Sequence, residues 1–142
     1  MVKYFIDTDI FLRTLVKEDE KIFEDCCQTL AAIKLNKIKG VTSNLVLAEI
    51  AWTLSAYYGF SKTDVVKALR SIINLRGLRL IDSFNPVLAL SLYEDYNIKY
   101  IDAVLASIRP LYEKEWTIIS YDKDFDKLNM KRKEPAEVLN HA

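Results

Sequence analysis

Four acidic stations lie along this chain at structurally awkward places. The first is Asp7-Thr8-Asp9, directly after the apolar run Val2 to Ile6. Such a run reads as a buried strand, and a strand ending in an acid delivers it to a cleft at the sheet's edge. The second is Glu49, inside Leu45-Val46-Leu47-Ala48-Glu49-Ile50-Ala51-Trp52. Helical spacing puts Glu49 on one face with Leu45, Ala48 and Trp52. An acid on a burying face is costly unless it is paired or binds a cation. The third is Asp102, between Ile101 and Ala103 in the first turn of a helix. The fourth is Asp122, with Asp124 and Asp126 behind it, after the β-branched run Trp116 to Ser120.

Each acid taken alone has a structural explanation. Asp7 or Asp9 could cap a helix. Glu49 could reach solvent or a lysine. Asp102 could favour the positive end of its helix by ~0.3–1 kcal/mol, and Asp122 could be a turn residue. Their conjunction points to chemistry. Two stations close strands of an α/β chain, and such strands open onto one crevice. Carboxylates gathered there cannot all ionise unless something positive sits among them. The histidine is a single one, His141, and the two cysteines, Cys26 and Cys27, are adjacent, so zinc spacings of the Cys/His type are absent. An all-oxygen donor set suits Mg²⁺ or Mn²⁺. Such an ion serves phosphodiester hydrolysis, activating a water and neutralising charge at the attacked phosphorus.

The elements that must position these acids follow from periodicity. A short helical stretch covers Ile10 to Val16. A long amphipathic helix covers Glu18 to Lys37, with Ile22, Phe23, Cys26, Leu30 and Ile33 on one face and Gly40 as its stop. Val41-Thr42 is a short strand. Ser43 or Asn44 caps a helix to about Tyr58, halted by Gly59. Ser61 and Asp64 resemble a capping box for a helix to about Leu75. After Gly77, Leu78 to Ile81 is a strand. Asn85-Pro86 starts a helix to about Tyr96, and the next runs from Tyr100 to about Tyr112, with Pro110 distorting it or ending it early. Met130 to Arg132 is a weak edge strand, and Pro135 to Leu139 a last helical turn. Strands alternating with helices imply a parallel sheet with crossover helices, an α/β sandwich.

The chain has 142 residues, fitting one domain over 1–142, and 51% hydrophobic content supplies a sizeable core. Lys+Arg and Asp+Glu are 20 each, so nucleic-acid contact needs a local patch rather than a global field. Lys123, Lys127, Lys131, Arg132 and Lys133, with Arg13 and Lys17, could form one, although solvated surface explains them more simply. No apolar run nears the ~18 residues of a membrane span. Asp7 and Asp9 interrupt the first apolar stretch, so it does not read as a signal peptide. Two cysteines of core type suit a reduced compartment. A soluble, cytoplasmic protein is expected.

Phe5-Ile6-Asp7-Thr8-Asp9, Leu47-Ala48-Glu49-Ile50, Ile101-Asp102-Ala103 and Ile119-Ser120-Tyr121-Asp122-Lys123-Asp124-Phe125-Asp126 resemble, in that order, the motifs of the PIN domain. The chain is similar in size to the ribonuclease toxins of type II toxin–antitoxin pairs, of the VapC kind. The resemblance covers nearly the whole chain and implies a three-layer α/β sandwich around a short parallel sheet of order 3-2-1-4-5. It implies Mg²⁺- or Mn²⁺-dependent cleavage of RNA, with Asp7, Glu49, Asp102 and Asp122 as catalytic acids and Asp7, Asp102 and Asp122 at the metal. Asp124, and more weakly Asp126, could add a further acid, and Ser120 would brace the site. Asp9 departs from the family's usual Asn or Ser. The resemblance also implies a homodimer and a small antitoxin partner. Apolar bulk at Ile10–Val16 and at Trp52, Tyr57, Tyr58 and Phe60 could form those surfaces, with core packing the simpler fate for Trp52.

Four other readings compete. The Asp7-Thr8-Asp9 pattern also fits a haloacid-dehalogenase-like phosphatase with Asp7 as nucleophile, but that pattern leaves Glu49 unexplained. Asp122, Asp124 and Asp126 match calcium-loop positions, but Lys127 and Lys133 replace the Gly and Glu the loop requires. The fold could also serve as a PIN-like RNA-processing nuclease outside a toxin–antitoxin pair, or as a non-catalytic RNA-binding domain.

Overall fold

A computed structural model describes residues 2–140. In chain order its elements are β1 (Lys3–Ile6), α1 (Thr8–Leu15), α2 (Glu20–Lys34), β2 (Lys39–Thr42), α3 (Asn44–Ala56), α4 (Lys62–Ile73) and β3 (Leu78–Leu80). There follow α5 (Pro86–Asp95), α6 (Tyr100–Ala106), α7 (Arg109–Tyr112), β4 (Thr117–Ile119), α8 (Asp124–Lys127), β5 (Arg132–Lys133) and α9 (Pro135–Leu139). His141, expected to be solvated, lies outside the described residues. No helix among the described residues is long and apolar enough to cross a membrane.

The strands form one sheet of order β3-β2-β1-β4-β5 with every pairing parallel, as expected. Parallel strands are covered on both faces, so their residues are apolar without alternation. Phe5, Ile6, Ile118 and Ile119 are all fully buried. The chain leaves β1 towards β2 and later returns on its other side as β4. The switch point therefore lies between β1 and β4, where Phe5 pairs with Ile118 and Ile6 with Ile119. The Asp7 backbone N–H extends that ladder to the Ile119 carbonyl at 3.2 Å. Asp7 and Ser120-Tyr121-Asp122 are thus side by side at one end of the sheet.

Several boundaries differ from the sequence expectation. The second helix runs over Glu20–Lys34 rather than Glu18 to Lys37. Asp19 caps its start by accepting from the Ile22 N–H at 2.9 Å, and Asn36, in a left-handed conformation (φ 57°), turns the chain out of it. Gly40 does not stop the helix; it lies inside β2, under the fully buried Ile33. The stretch Tyr100–Tyr112 is two helices. Pro110 lacks an N–H and would clash with the carbonyl of Ala106, so the helix breaks at Ser107-Ile108 and restarts with the proline in its first turn.

Ile10, Phe11 and Leu12 are buried, so that part of the Ile10–Val16 stretch is core and not a docking surface. Trp52 goes the other way and is 69% exposed, contrary to the expectation of core packing. α3 buries Val46, Leu47, Ile50 and Leu54 and packs Leu45 partly against the core, while Ala48 and Trp52 are exposed. An almost wholly apolar helix has little periodic contrast from which to read its inner face. Cys26 is buried and Cys27 half-buried, both free thiols. Burial pushes the Cys26 thiol up to about 12, which makes it an inert core residue.

Gly77 admits the chain to β3 at φ 88°, and a Cβ there would lie 2.7 Å from the Ile33 carbonyl oxygen. Gly59 has φ 70° but open space around it. Gly59→Ala should therefore cost only the left-handed penalty of about 1–2 kcal/mol, and Gly77→Ala distinctly more, because backbone must also move. Urea unfolding of both variants checks this, and equal costs would contradict the steric account.

Candidate metal centre

Asp7 caps α1 and also lines the cleft, so the cap reading does not exclude a place in the candidate site. It is extended at the N-cap of α1, where its Oδ1 accepts the Thr8 N–H at 2.8 Å. Its Oδ2 accepts the Ser120 hydroxyl at 2.6 Å. The Ser120 Oγ accepts the Asp122 N–H at 3.0 Å, and Asp122 Oδ1 accepts the Asp124 N–H at 2.9 Å. One fully buried serine thereby links the acid after β1 to the acid after β4. Arg132 secures the same corner from β5, donating to the Ser120 carbonyl at 2.9 Å.

Glu49 comes from α3. It sits at the margin of the buried face rather than on it, half-buried, and accepts the Thr8 hydroxyl. Asp102 enters from the first turn of α6 and is 3% exposed. Its Oδ2 is buried without a hydrogen-bond partner. Carboxylate oxygens of Asp102, Asp122 and Asp124 lie within 4.8 Å of one another. Asp7, Asp9, Glu49, Asp102 and Asp122 line one cleft, together with Thr8, Leu12, Thr53 and Lys99.

The supporting acids divide. Asp124 joins the cluster but also pairs with Lys127 at 2.9 Å. Asp126 stands apart, held by two bonds from Arg132 at 3.0 and 3.1 Å in a different groove. Asp9 Oδ2 accepts the Tyr121 N–H at 2.8 Å, and its Oδ1 is buried without a partner. Asp9 thus grips the segment after β4 while adding charge beside Asp7. Of the basic residues considered as a patch, four are held in ion pairs: Arg13 with Glu18, Lys17 with Glu20, Lys127 with Asp124, and Arg132 with Asp126 and Glu134.

Two residues of the cleft were missed from sequence. Thr8 orients Glu49 and was legible only as part of the Asp7-Thr8-Asp9 motif. Lys99 is the basic residue of the lining. Its position three residues before Asp102, on the same helical edge, was the available clue.

The electrostatics fit a cation. Burial, then the neighbouring charge of Asp9, push the Asp7 carboxyl well above the usual carboxylate range. Burial raises Asp102 to about 7, with Lys99 opposing and Asp122 and Glu49 adding to the rise. Burial raises Asp9 to about 6 against the Tyr121 N–H. Buried acids with vacant oxygens, all-oxygen chemistry and no His or Cys in the lining suit a hard divalent ion.

The PIN domain family model matches residues 4–131. No curated protein sequence matches the chain. Among solved structures, VapBC2 from Rickettsia felis, bound to a DNA fragment from its promoter, is similar at a TM-score of 0.69 and 19% identity, over 94% of this chain and 98% of that one. PAE2754 from Pyrobaculum aerophilum is similar at 0.66 and 12% identity, over 99% of this chain and 94% of that one. Mycobacterium tuberculosis VapC20, a sarcin–ricin-loop-cleaving toxin, is similar at 0.61 and 17% identity, over 89% of this chain and 95% of that one.

The raised acids carry a linkage consequence. Asp9 and Asp102 bind protons more tightly folded than unfolded, where the ordinary value is 3.8. Their contribution to stability is complete below that value and is lost as pH rises through about 6 and about 7. The metal-free protein should therefore melt at a lower temperature at about pH 8 than at about pH 5, and added Mn²⁺ should raise the melting temperature more at the higher pH. Thermal melts with EDTA and with Mn²⁺ test this; a Mn²⁺ shift independent of pH would contradict it.

Proposed function

This chain belongs to the PIN-domain family, and from that premise we propose that it is a Mg²⁺- or Mn²⁺-dependent endoribonuclease, the toxin of a toxin–antitoxin pair. The observation that carries the reading is the convergence of Asp7, Glu49, Asp102 and Asp122 from four separate elements on one cleft. The buried, unpartnered Asp102 Oδ2 supports it further. The similarity to VapBC2 supports an antitoxin partner.

Asp7 and Asp102 would hold the ion, with Asp122 directly or through water and Asp124 as the further acid. The bound ion supplies Lewis-acid activation of water and neutralises charge on the phosphate. Glu49, fixed by the Thr8 hydroxyl, takes the proton of the attacking water. In-line attack then leaves 5′-phosphate and 3′-hydroxyl ends. Ser120 positions Asp7 and Asp122 without touching substrate. The phosphatase alternative fits less well, because it gives no role to Glu49 in the same cleft.

Homodimerisation is part of the same proposal. Val87, Leu90 and Tyr93 of α5 and Trp52 and Tyr57 near the end of α3 are exposed apolar surface, of the kind interfaces cover. Cytoplasmic action on RNA is included.

Asp7→Asn and Asp102→Asn should abolish Mn²⁺-dependent cleavage of RNA, while Glu49→Gln should lower kcat by ~10²–10⁴-fold with Mn²⁺ binding kept. Ser120→Ala should weaken Mn²⁺ binding or activity by about 10–100-fold. Gel-resolved cleavage and calorimetry read these, and full activity in either Asn variant sinks the assignment. In sedimentation the protein should run as a dimer at micromolar concentration; a monomer there removes the dimer from the reading.

A further inference from the structure

A cleft lined by five acids is a poor host for a phosphodiester. A divalent ion offsets only part of that charge, and none of the basic residues expected to form a patch lines the cleft. Lys99 is not among those. It lines the cleft as its basic residue, and among the described residues it makes no ion pair within 4.0 Å.

Its backbone is fixed by the turn that presents Asp102. Lys99 stands at the N-cap of α6 with no side-chain cap bond, and its carbonyl accepts the N–H groups of Asp102 and Ala103, both at 3.1 Å. The cap position ordinarily favours Ser, Thr, Asp or Asn, whose oxygens satisfy the first N–H groups. A lysine gives that up, so its place here is not explained by helix stability. Partial burial works against its charge, yet Asp102, Glu49, Asp122 and Asp7, in that order, hold the ammonium charged. All three N–H donors remain free for an incoming anion.

We propose that Lys99 is a substrate-binding residue of this site, donating from its ammonium to a non-bridging phosphate oxygen of the RNA strand in the cleft. The assignment rests on the ribonuclease reading above. A compact, strongly hydrated charge on a flexible stem suits a phosphate whose position is set elsewhere by the ion. Lys99 forms no covalent bond and transfers no proton; its role is to lower the cost of bringing an anion against acids.

The test uses the full chain carrying Glu49→Gln, so that bound RNA survives in Mn²⁺. Lys99→Met and Lys99→Arg are added to that parent, and binding of a fluorescent single-stranded RNA is measured by polarisation over a series of salt concentrations. Lys99→Met should weaken RNA binding by roughly 10–100-fold, as expected for a charge-assisted hydrogen bond. The slope of log affinity against log salt should shrink by about 0.7, one single-strand phosphate contact. Lys99→Arg should retain most of the affinity, and calorimetric Mn²⁺ binding should be kept in both variants. Unchanged RNA affinity and salt slope in Lys99→Met overturn the proposal. A gain of Mn²⁺ and RNA affinity together also overturns it, because the ammonium then merely stands in for the ion. Loss of Mn²⁺ binding overturns it in favour of a structural role. If the parent binds no RNA in Mn²⁺, the ribonuclease reading falls and this one with it.

Discussion

Carboxylates that a packed fold forces together repel one another, and the site depends on how that repulsion is contained. Burial alone already penalises the charge on Asp7 and Asp102, and Asp9 adds to the penalty on Asp7. Containment is local and directional. Asp7 is gripped by a backbone N–H and a buried hydroxyl, Asp9 by the Tyr121 N–H, Asp122 by its own turn, and Glu49 by Thr8. These bonds fix where the acids point without neutralising them. The remaining charge is left to protons, to Lys99 and to a cation, which is the condition a metal-dependent hydrolase requires.

The sheet makes this containment possible. Because β1 and β4 are neighbours in a parallel sheet, their ends place Asp7 and Ser120 against each other although 113 positions separate them in the chain. Arg132 anchors β5 to the end of β4 through the Ser120 carbonyl. A two-residue edge strand, weakly indicated by sequence, therefore has a clear task. It holds the corner on which both Asp7 and Asp122 rely.

Much of this was legible before any coordinates. Short strands ending in acids mark a switch-point cleft, and the order of the acid motifs indicated the family and thus the sheet order. What escaped had identifiable causes. The face of α3 could not be read because apolar residues run through Leu45–Trp52 with Glu49 as the one polar interruption, so the spacing puts Trp52 inward and Glu49 too deep. Gly40 looked like a helix stop because local rules do not register that Ile33 must pack over β2. Lys99 was invisible as a site residue because a lysine at a helix start reads as solvated, and only the convergence of α3, α6 and the β1 and β4 ends surrounds it with acids.

Asp9 shows how far a single departure from the expected pattern reaches. An Asn there could accept from the Tyr121 N–H just as well, so the hydrogen bond does not by itself require a carboxylate. What the carboxylate adds is charge: Asp9 is the second-ranked cause, after burial, of the rise at Asp7. The same burial keeps Asp9 itself protonated up to about 6, so below that pH it behaves much as a neutral residue would. Above it, Asp7 and Asp9 compete to ionise, and a divalent ion relieves both at once. In the proposed metal-dependent enzyme, Asp9 would thus couple cation binding to proton release more strongly than a neutral residue at that position.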